Sequence, residues 1–338
     1  MRSDASSLPT NVARRRARAC ALACTAVLLL ASMAACADRG PPPGATADAI
    51  CGATSEVFGT VESPELVEIS GLAASRTNEG VLWAHNDSGD TARVFAIGPR
   101  GEHLGTYTLA DTEAIDWEDM AIGPGPEDDT DYLYLADIGD NQAQRATIVV
   151  YRVPEPEVRR DGTPTSAELT GVEQLTLRYP DGAHDAEIFL VDPSTGDMFI
   201  VTKELQLPAS FVFRAPASAE PGIPFTLEQV GQIDFKALPS RVEVPPDAPQ
   251  LVRGVPHLPT GGDVSPDGRL VAIRTYATVW VWARQDDTPL SEAFNGVPCE
   301  APATIEQQGE AIAFHADGTG YTTVSEGAGA PLNHFEAR

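Results

Sequence analysis

The stretch DWEDMAIG, Asp116–Gly123, sets three carboxylates at the head of an apolar run. Burying an unpaired carboxylate costs several kcal/mol or forces it to take up a proton. Used as a probe along the chain, the stretch finds copies of itself. Glu118-Asp119-Met120-Ala121 matches Glu187-Ile188-Phe189-Leu190, Asp263-Val264-Ser265 and Glu310-Ala311-Ile312-Ala313. A weaker copy, Ser70-Gly71-Leu72-Ala73, has Gly71 where the others carry an acid. Each copy leads to a second apolar run through a turn such as PSTGD, SPDG or HADGTG. A third run, and usually a fourth, precedes the next copy. Four short strands counted five times predict an all-β fold, a five-bladed β-propeller, with six blades as the alternative.

Runs such as VLWAHND, ARVFAIG, DYLYLAD and TVWVWAR are rich in β-branched and aromatic residues and bounded by Gly, Pro, Asp and Asn. Two Pro-rich insertions, PEPEVRRDGTPTSAE and LPSRVEVPPDAPQLVRGVPHLP, lengthen the middle steps and read as loops. The last copy shows two clear strands and lacks an outer one. EVFGTVE, Glu56–Glu62, resembles the outer strand HLGTYTL. It is expected to pair with the C-terminal blade, closing the ring and leaving no open edge. Trp280 and Trp282 alternate on a third strand and read as one inter-blade and one surface residue.

The N-terminus reads differently. Arg14–Arg18 (RRRAR) is a basic region, followed by a short apolar run, Ala19–Ala31, and small residues up to Cys36. That is the pattern of a secretory signal, too short for a membrane span. Met33-Ala34-Ala35-Cys36 resembles a bacterial lipobox, which implies lipid on Cys36. The expected organisation is a lipoprotein signal peptide at 1–35, a flexible tether at 36–50 and the propeller at 51–338. The expected location is the outer face of a bacterial membrane, through the Cys36 lipid, or secretion if the lipobox is unused.

Losing residues 1–35 removes five Arg and one Asp and takes the formal charge from −26 to −30. Such a chain repels phosphates, which excludes nucleic acid as a partner. A monomer is expected. Cys20 and Cys24 leave with the signal, so Cys51 and Cys299 remain as a pair for one disulfide at the ring seam, two free thiols being the alternative.

Propeller geometry gives the acids a common place. The first strand of each blade lines the channel, and the turn between second and third strands returns to the same end. Glu118, Asp119, Glu187, Asp263 and Glu310 are thus expected around one channel mouth, joined by Asp137 and Asp140 of the turn DIGDN. So many carboxylates repel one another unless countered, and calcium takes six to eight such oxygens in flexible geometry. Calcium is therefore the expected cofactor. The competing reading is that Arg145, Lys203 and Arg274 neutralise the acids internally, leaving a structural scaffold. His85, Asp87, Trp117, Lys203, Arg274 and Glu326 are the expected ligand contacts, Lys203 and Arg274 as grips for an anion. The catalytic residues stay unassigned: there is no Gly-x-Ser-x-Gly elbow and no phosphate-cradling loop.

The strings DWEDMAIGPG, YLYLADIGDN, IVVYRVPEP, DAEIFLVDPSTGDMFIVTKE, GGDVSPDG and QGEAIAF resemble an uncharacterised group of exported bacterial β-propeller proteins, WD40-like, over residues 65–330. That resemblance implies fold and export more than an activity. More loosely, inner strands opening on Glu and the GEA and SEG strings are similar to phytase-like propellers and calcium-activated nucleotidases. Those use acids around a channel-mouth calcium for phosphoester chemistry. The sequence reading is thus a lipid-anchored binding module for a small-molecule or protein ligand, with a calcium-dependent phosphoester hydrolase as the alternative.

Overall fold

A computed structural model describes residues 44–286 and 288–338, so the expected signal peptide and the expected lipid site at Cys36 lie outside the described residues. The first strand, β1 (Thr54–Thr60), stands alone in sequence. Blade 1 follows with β2 (Ile69–Ala74), β3 (Leu82–Asn86), β4 (Arg93–Ile97) and β5 (His103–Leu109). Blade 2 has β6 (Trp117–Pro124), β7 (Asp131–Asp137) and β8 (Ile148–Pro154). The chain then leaves it to form β9 (Thr165–Leu169) and returns as β10 (Glu173–Arg178). Blade 3 is β11 (Ala186–Val191), β12 (Met198–Thr202) and β13 (Ser210–Ala215). Its outer strand, β15 (Glu228–Ile233), comes after the two-residue β14 (Phe225–Thr226). Blade 4 is β16 (Pro259–Val264), β17 (Leu270–Thr275), β18 (Val279–Ala283) and β19 (Cys299–Ala301). Blade 5 is β20 (Gly309–Phe314), β21 (Gly320–Ser325) and β22 (Pro331–Glu336), completed by β1.

Five sheets make five blades, and the inner strands pack in a closed ring, β2, β6, β11, β16, β20 and back to β2. The ring closes as expected, with β1 antiparallel to β22 from Thr54 opposite Glu336 to Thr60 opposite Pro331. The C-terminal tail supplies β22, a third strand where the sequence showed two. Pro331 heads the run PLNHFE, which weakens its strand signal.

The insertions are also more ordered than their proline content suggests. Thr165–Leu169, at the end of the first, adds to blade 1 as a parallel fifth strand beside β5. The β14 strand does the same for blade 2, beside β10. Each covers the edge of the preceding blade. The second long insertion holds only a short helix, Gln250–Gly254, so it contributes no sixth blade.

Both faces of each blade are buried, which is why strand alternation in the sequence is weak. In β6, Met120 and Ile122 pack toward blade 1 while Ala121 packs toward blade 3. Five apolar clusters lie one between each pair of neighbouring blades. Each fully buried Leu, Val or Phe in them stabilises the ring by ~1.5–3 kcal/mol. Trp280 and Trp282 both enter the cluster between blades 3 and 4, so neither is a surface residue.

Residues 44–50, within the stretch expected to be a tether, are built into the propeller. Gly44 N donates to Asp267 Oδ2 at 2.9 Å, Ala45 N to Gly318 O at 2.9 Å, and Ala47–Cys51 form a helical turn that buries Ile50. Cys51 ends that turn and is disulfide-bonded to Cys299 at the start of β19. The bond therefore fastens the segment ahead of the closing strand to the outer strand of blade 4, across the seam.

Candidate functional site: an acidic channel mouth

Every inner strand carries a β-bulge at its second residue, seen as a one-residue break in the pairing with the second strand. The extra residue is Ser70 in blade 1, Glu118 in blade 2, Glu187 in blade 3, Thr260 in blade 4 and Glu310 in blade 5. A bulge re-aims the side chain that it inserts. In blades 1 and 4 the re-aimed group is a hydroxyl that ties the next blade: Ser70 Oγ donates to Glu118 O, and Thr260 Oγ1 to Gly309 O at 2.9 Å. In the other three blades it is a carboxylate.

This register corrects two sequence assignments. Ser70, and not Gly71, is the blade 1 counterpart of the acids, and Thr260, and not Asp263, is that of blade 4. Gly71 and Gly261 stand one residue on, where a Cβ would overlap His85 and Glu310 O respectively. A four-residue match cannot register a bulge, because the bulge is defined by the partner strand.

Asp119 and Asp263 consequently tie the inner strands together instead of lining the mouth. Asp119 accepts from Met120 N at 2.9 Å, Phe189 N at 3.0 Å and Gly262 N at 3.3 Å, linking blades 2, 3 and 4. Asp263 accepts from Val264 N and Phe314 N, both at 2.7 Å, linking blades 4 and 5. Burial raises the pKa of both, Asp263 to about 7, while the amide donors oppose the shift.

Asp137 and Asp140 build the loop beside the mouth. Asp137 accepts from Ile115 N at 3.0 Å and Asp116 N at 3.3 Å and pairs with Arg145 at 2.7 Å. Asp140 accepts from Arg145 N at 2.6 Å, while its own amide donates to Asp185 Oδ1 at 2.9 Å. These contacts place Asp116 and Asp185, two acids visible in DWED and HDAE but not assigned from sequence.

Three overlapping groups of carboxylates result, each with ligand atoms within 4.8 Å of one another: Asp185–Glu187–Glu118, Glu118–Asp116–Asp87 and Asp87–Glu310–Glu326. Shared membership of Glu118 and Asp87 makes them one arc. Gln308 Nε2 bridges Glu310 at 3.1 Å and Glu326 at 2.8 Å. Lys203 donates to Glu187 Oε1, with its ammonium 5.5 Å from the Tyr276 ring centroid. Glu187 Oε2 and Glu310 Oε2 are shielded from solvent, in residues only 3% exposed, and have no hydrogen-bond partner among the described residues.

The electrostatics follow from this crowding. Burial, with Lys203 opposing and Glu310 reinforcing, pushes Glu187 up to about 8. Burial and Glu326 bring Glu310 to about 8, and burial with Asp87 and Asp185 brings Asp116 to about 6. Glu118 is raised by burial and then by Glu187, Asp87 and Asp116. Burial works against the Lys203 ammonium, but Glu187 overcomes it and holds the pKa above the ordinary lysine value.

Of the expected ligand contacts, Asp87, Lys203 and Glu326 reach the mouth. Arg274 does not. Its guanidinium is buried between blades 4 and 5, paired with Glu306 at 2.6 Å and donating to Ala311 O at 2.9 Å. Glu306 was not assigned from sequence, nor was Tyr276. Trp117 packs between blades 1 and 2, and its indole meets His85 edge-on at 5.4 Å. His85 is itself buried, its Nδ1 2.9 Å from Asn86 O, and burial lowers its pKa.

No protein-family model and no curated protein matches the sequence. Among solved structures, the chain is similar to the PQQ-bound aldose sugar dehydrogenase of Streptomyces coelicolor. The identity is 12%, the TM-score 0.43, and the match covers 88% of this chain and 100% of that one. The soluble aldose sugar dehydrogenase of Escherichia coli matches at 12% identity and a TM-score of 0.44, over 85% and 100%. A putative gluconolactonase matches at 13% and 0.41, over 85% and 93%.

Proposed function

We propose that this propeller is an exported binding module whose channel mouth is completed by calcium. The reading is carried by Glu187 Oε2 and Glu310 Oε2, buried without partners among the described residues, inside an arc of seven carboxylates. Water or a cation would satisfy them, and an arc of oxygen donors with no thiol or imidazole suits a hard cation. Lys203 donates to Glu187, and its charge also favours the ionised forms of Glu118, Glu310, Asp87 and Asp185, but one ammonium cannot balance seven carboxylates. A bound cation would neutralise the acids and keep open positions for an oxygen-bearing ligand at the rim.

The phosphoester alternative needed Arg274 as an anion grip, and the Arg274–Glu306 pair removes it from the mouth. Export by the signal at 1–35 and lipid at Cys36 belong to the same proposal. Gly44, the first described residue, lies beside Gly318 in the turn from β20 to β21. That turn lies at the end of blade 5 away from Glu310, so an anchor ahead of Gly44 leaves the mouth free to meet a ligand.

Calorimetry with calcium, and thermal melts with calcium or EDTA, test the reading. Micromolar binding and a raised melting temperature are expected in the mature chain, with both lost in Glu118→Gln/Glu187→Gln. A melting temperature indifferent to calcium and EDTA would sink it.

A further inference from the structure

At the end of blade 5 away from the mouth, His315, His334 and Glu336 bring one ligand atom each to within 4.8 Å of one another. His315 follows β20 in the turn to β21. His334 and Glu336 lie two residues apart on β22, so strand periodicity directs both to one face. The pairing of Gly320 with Glu336 and of Thr322 with His334 fixes the group at that end of the blade.

The geometry around the two imidazoles is that of a supported site. His315 Nδ1 is 3.5 Å from Glu336 Oε1, while its Nε2 is 3.1 Å from Thr322 Oγ1. A hydrogen-bond partner on one ring nitrogen, leaving the other for the ion, is how metal-binding histidines are oriented. His334 stacks on Phe58 of the closing strand, centroids 4.6 Å apart and planes at 19°, which restrains its ring. Its Nε2 is shielded from solvent and has no hydrogen-bond partner among the described residues. Beside the group lies a cleft of about 590 Å³ between blades 5 and 1, walled also by Arg76, Thr77 and Glu79.

We propose that His315, His334 and Glu336 form a second metal site, for a borderline divalent ion of the zinc class, with its fourth position open to the cleft. Two imidazoles and one carboxylate select zinc over calcium, and three protein ligands leave room for water or a substrate atom. Zinc bonds of ~2.0–2.2 Å require the ligand atoms to draw together by roughly 1 Å. His315 Nδ1 and Glu336 Oε1 are already 3.5 Å apart, and the Glu336 side chain, 59% exposed, is free to adjust toward His334. The site differs from the acidic mouth in donors and in position, and it stands whether or not the mouth binds calcium.

The test titrates the mature chain, stripped of metal and held in excess calcium, with Zn²⁺ and separately with Co²⁺. One equivalent should bind, and Co²⁺ should show the intense visible bands of tetrahedral coordination. His315→Ala and His334→Ala should each weaken binding by ~100-fold or more, and Thr322→Val by ~10-fold, the scale of an outer partner. Glu118→Gln/Glu187→Gln at the mouth should leave the titration unchanged. Glu336→Gln, at an exposed position, keeps the test decisive if a histidine variant misfolds, as metal-free melting will reveal. Absence of binding, an octahedral Co²⁺ spectrum, or an unchanged titration in folded His315→Ala or Glu336→Gln would each overturn the proposal.

Discussion

Arg274 and Glu306 meet at 2.6 Å with side chains 2% and 3% exposed, and Asn333 Nδ2 donates to the same carboxylate at 2.6 Å. Removing one member of such a pair leaves the other charge buried and unpaired. Arg274→Ala should therefore destabilise the protein by about 3–5 kcal/mol, measured by denaturant unfolding. Replacing both, as Arg274→Met/Glu306→Leu, should recover part of the loss, because Asn333 Nδ2 and Ala311 O then lose their partners. Calcium binding in the folded double variant should match the wild type, since neither residue reaches the mouth.

The mouth should make metal-free stability depend on pH. Glu187 and Glu310 have folded pKa values near 8 against an ordinary 4.5, raised by burial first. The folded state thus holds protons that the unfolded chain has released, and their contribution is full below the ordinary value. It is lost as pH rises from 4.5 toward 8. Melting in EDTA should fall over that window, and saturating calcium should flatten the fall. A metal-free melting temperature that rises from pH 5 to 8 would contradict this account.

Lys203 competes with any cation for Glu187. Lys203→Met should tighten calcium by roughly tenfold, a change of about 1.4 kcal/mol, read by calorimetry at neutral pH. The same variant should lower metal-free stability, because Glu187 then loses the group that donates to its Oε1.

The Cys51–Cys299 bond spans 248 residues and holds the N-terminal turn against blade 4. Cys51→Ser/Cys299→Ser should lose roughly 2–4 kcal/mol in denaturant unfolding, and reduction of the wild type should reproduce the loss. Hydrogen exchange should show the protection lost first in β1, the strand adjoining the bond.

Much of the fold was open to reading because a propeller repeats. DWEDMAIG found its own copies, and EVFGTVE matched the outer strand HLGTYTL well enough to close the ring. What stayed hidden depends on contacts between blades. PLNHFE begins with Pro331 and TSAEL sits among prolines, so neither reads as a strand until a neighbouring edge is there to receive it. Arg274 pairs with Gly261 inside β17, the place Val201 holds in β12, so it turns between blades toward Glu306, while Lys203 lies just past β12 and reaches Glu187. The blade 4 counterpart of Lys203 is Tyr276, a register that only the partner strand reveals.

From the sequence alone, then, followed the propeller, its closing strand, the disulfide pair and the meeting of Glu118, Glu187 and Glu310, because strand pattern and repeat are local properties of the chain. The tertiary structure decided which acids stay unpartnered. A bulge is defined only by the strand opposite, and it gave Ser70 and Thr260 the positions that Gly71 and Asp263 had been assigned. Asp119 and Asp263 became ties because amides from other blades came within reach. Asp116 and Asp185 entered the arc because Asp137 accepts from the Asp116 amide and the Asp140 amide donates to the Asp185 carboxylate.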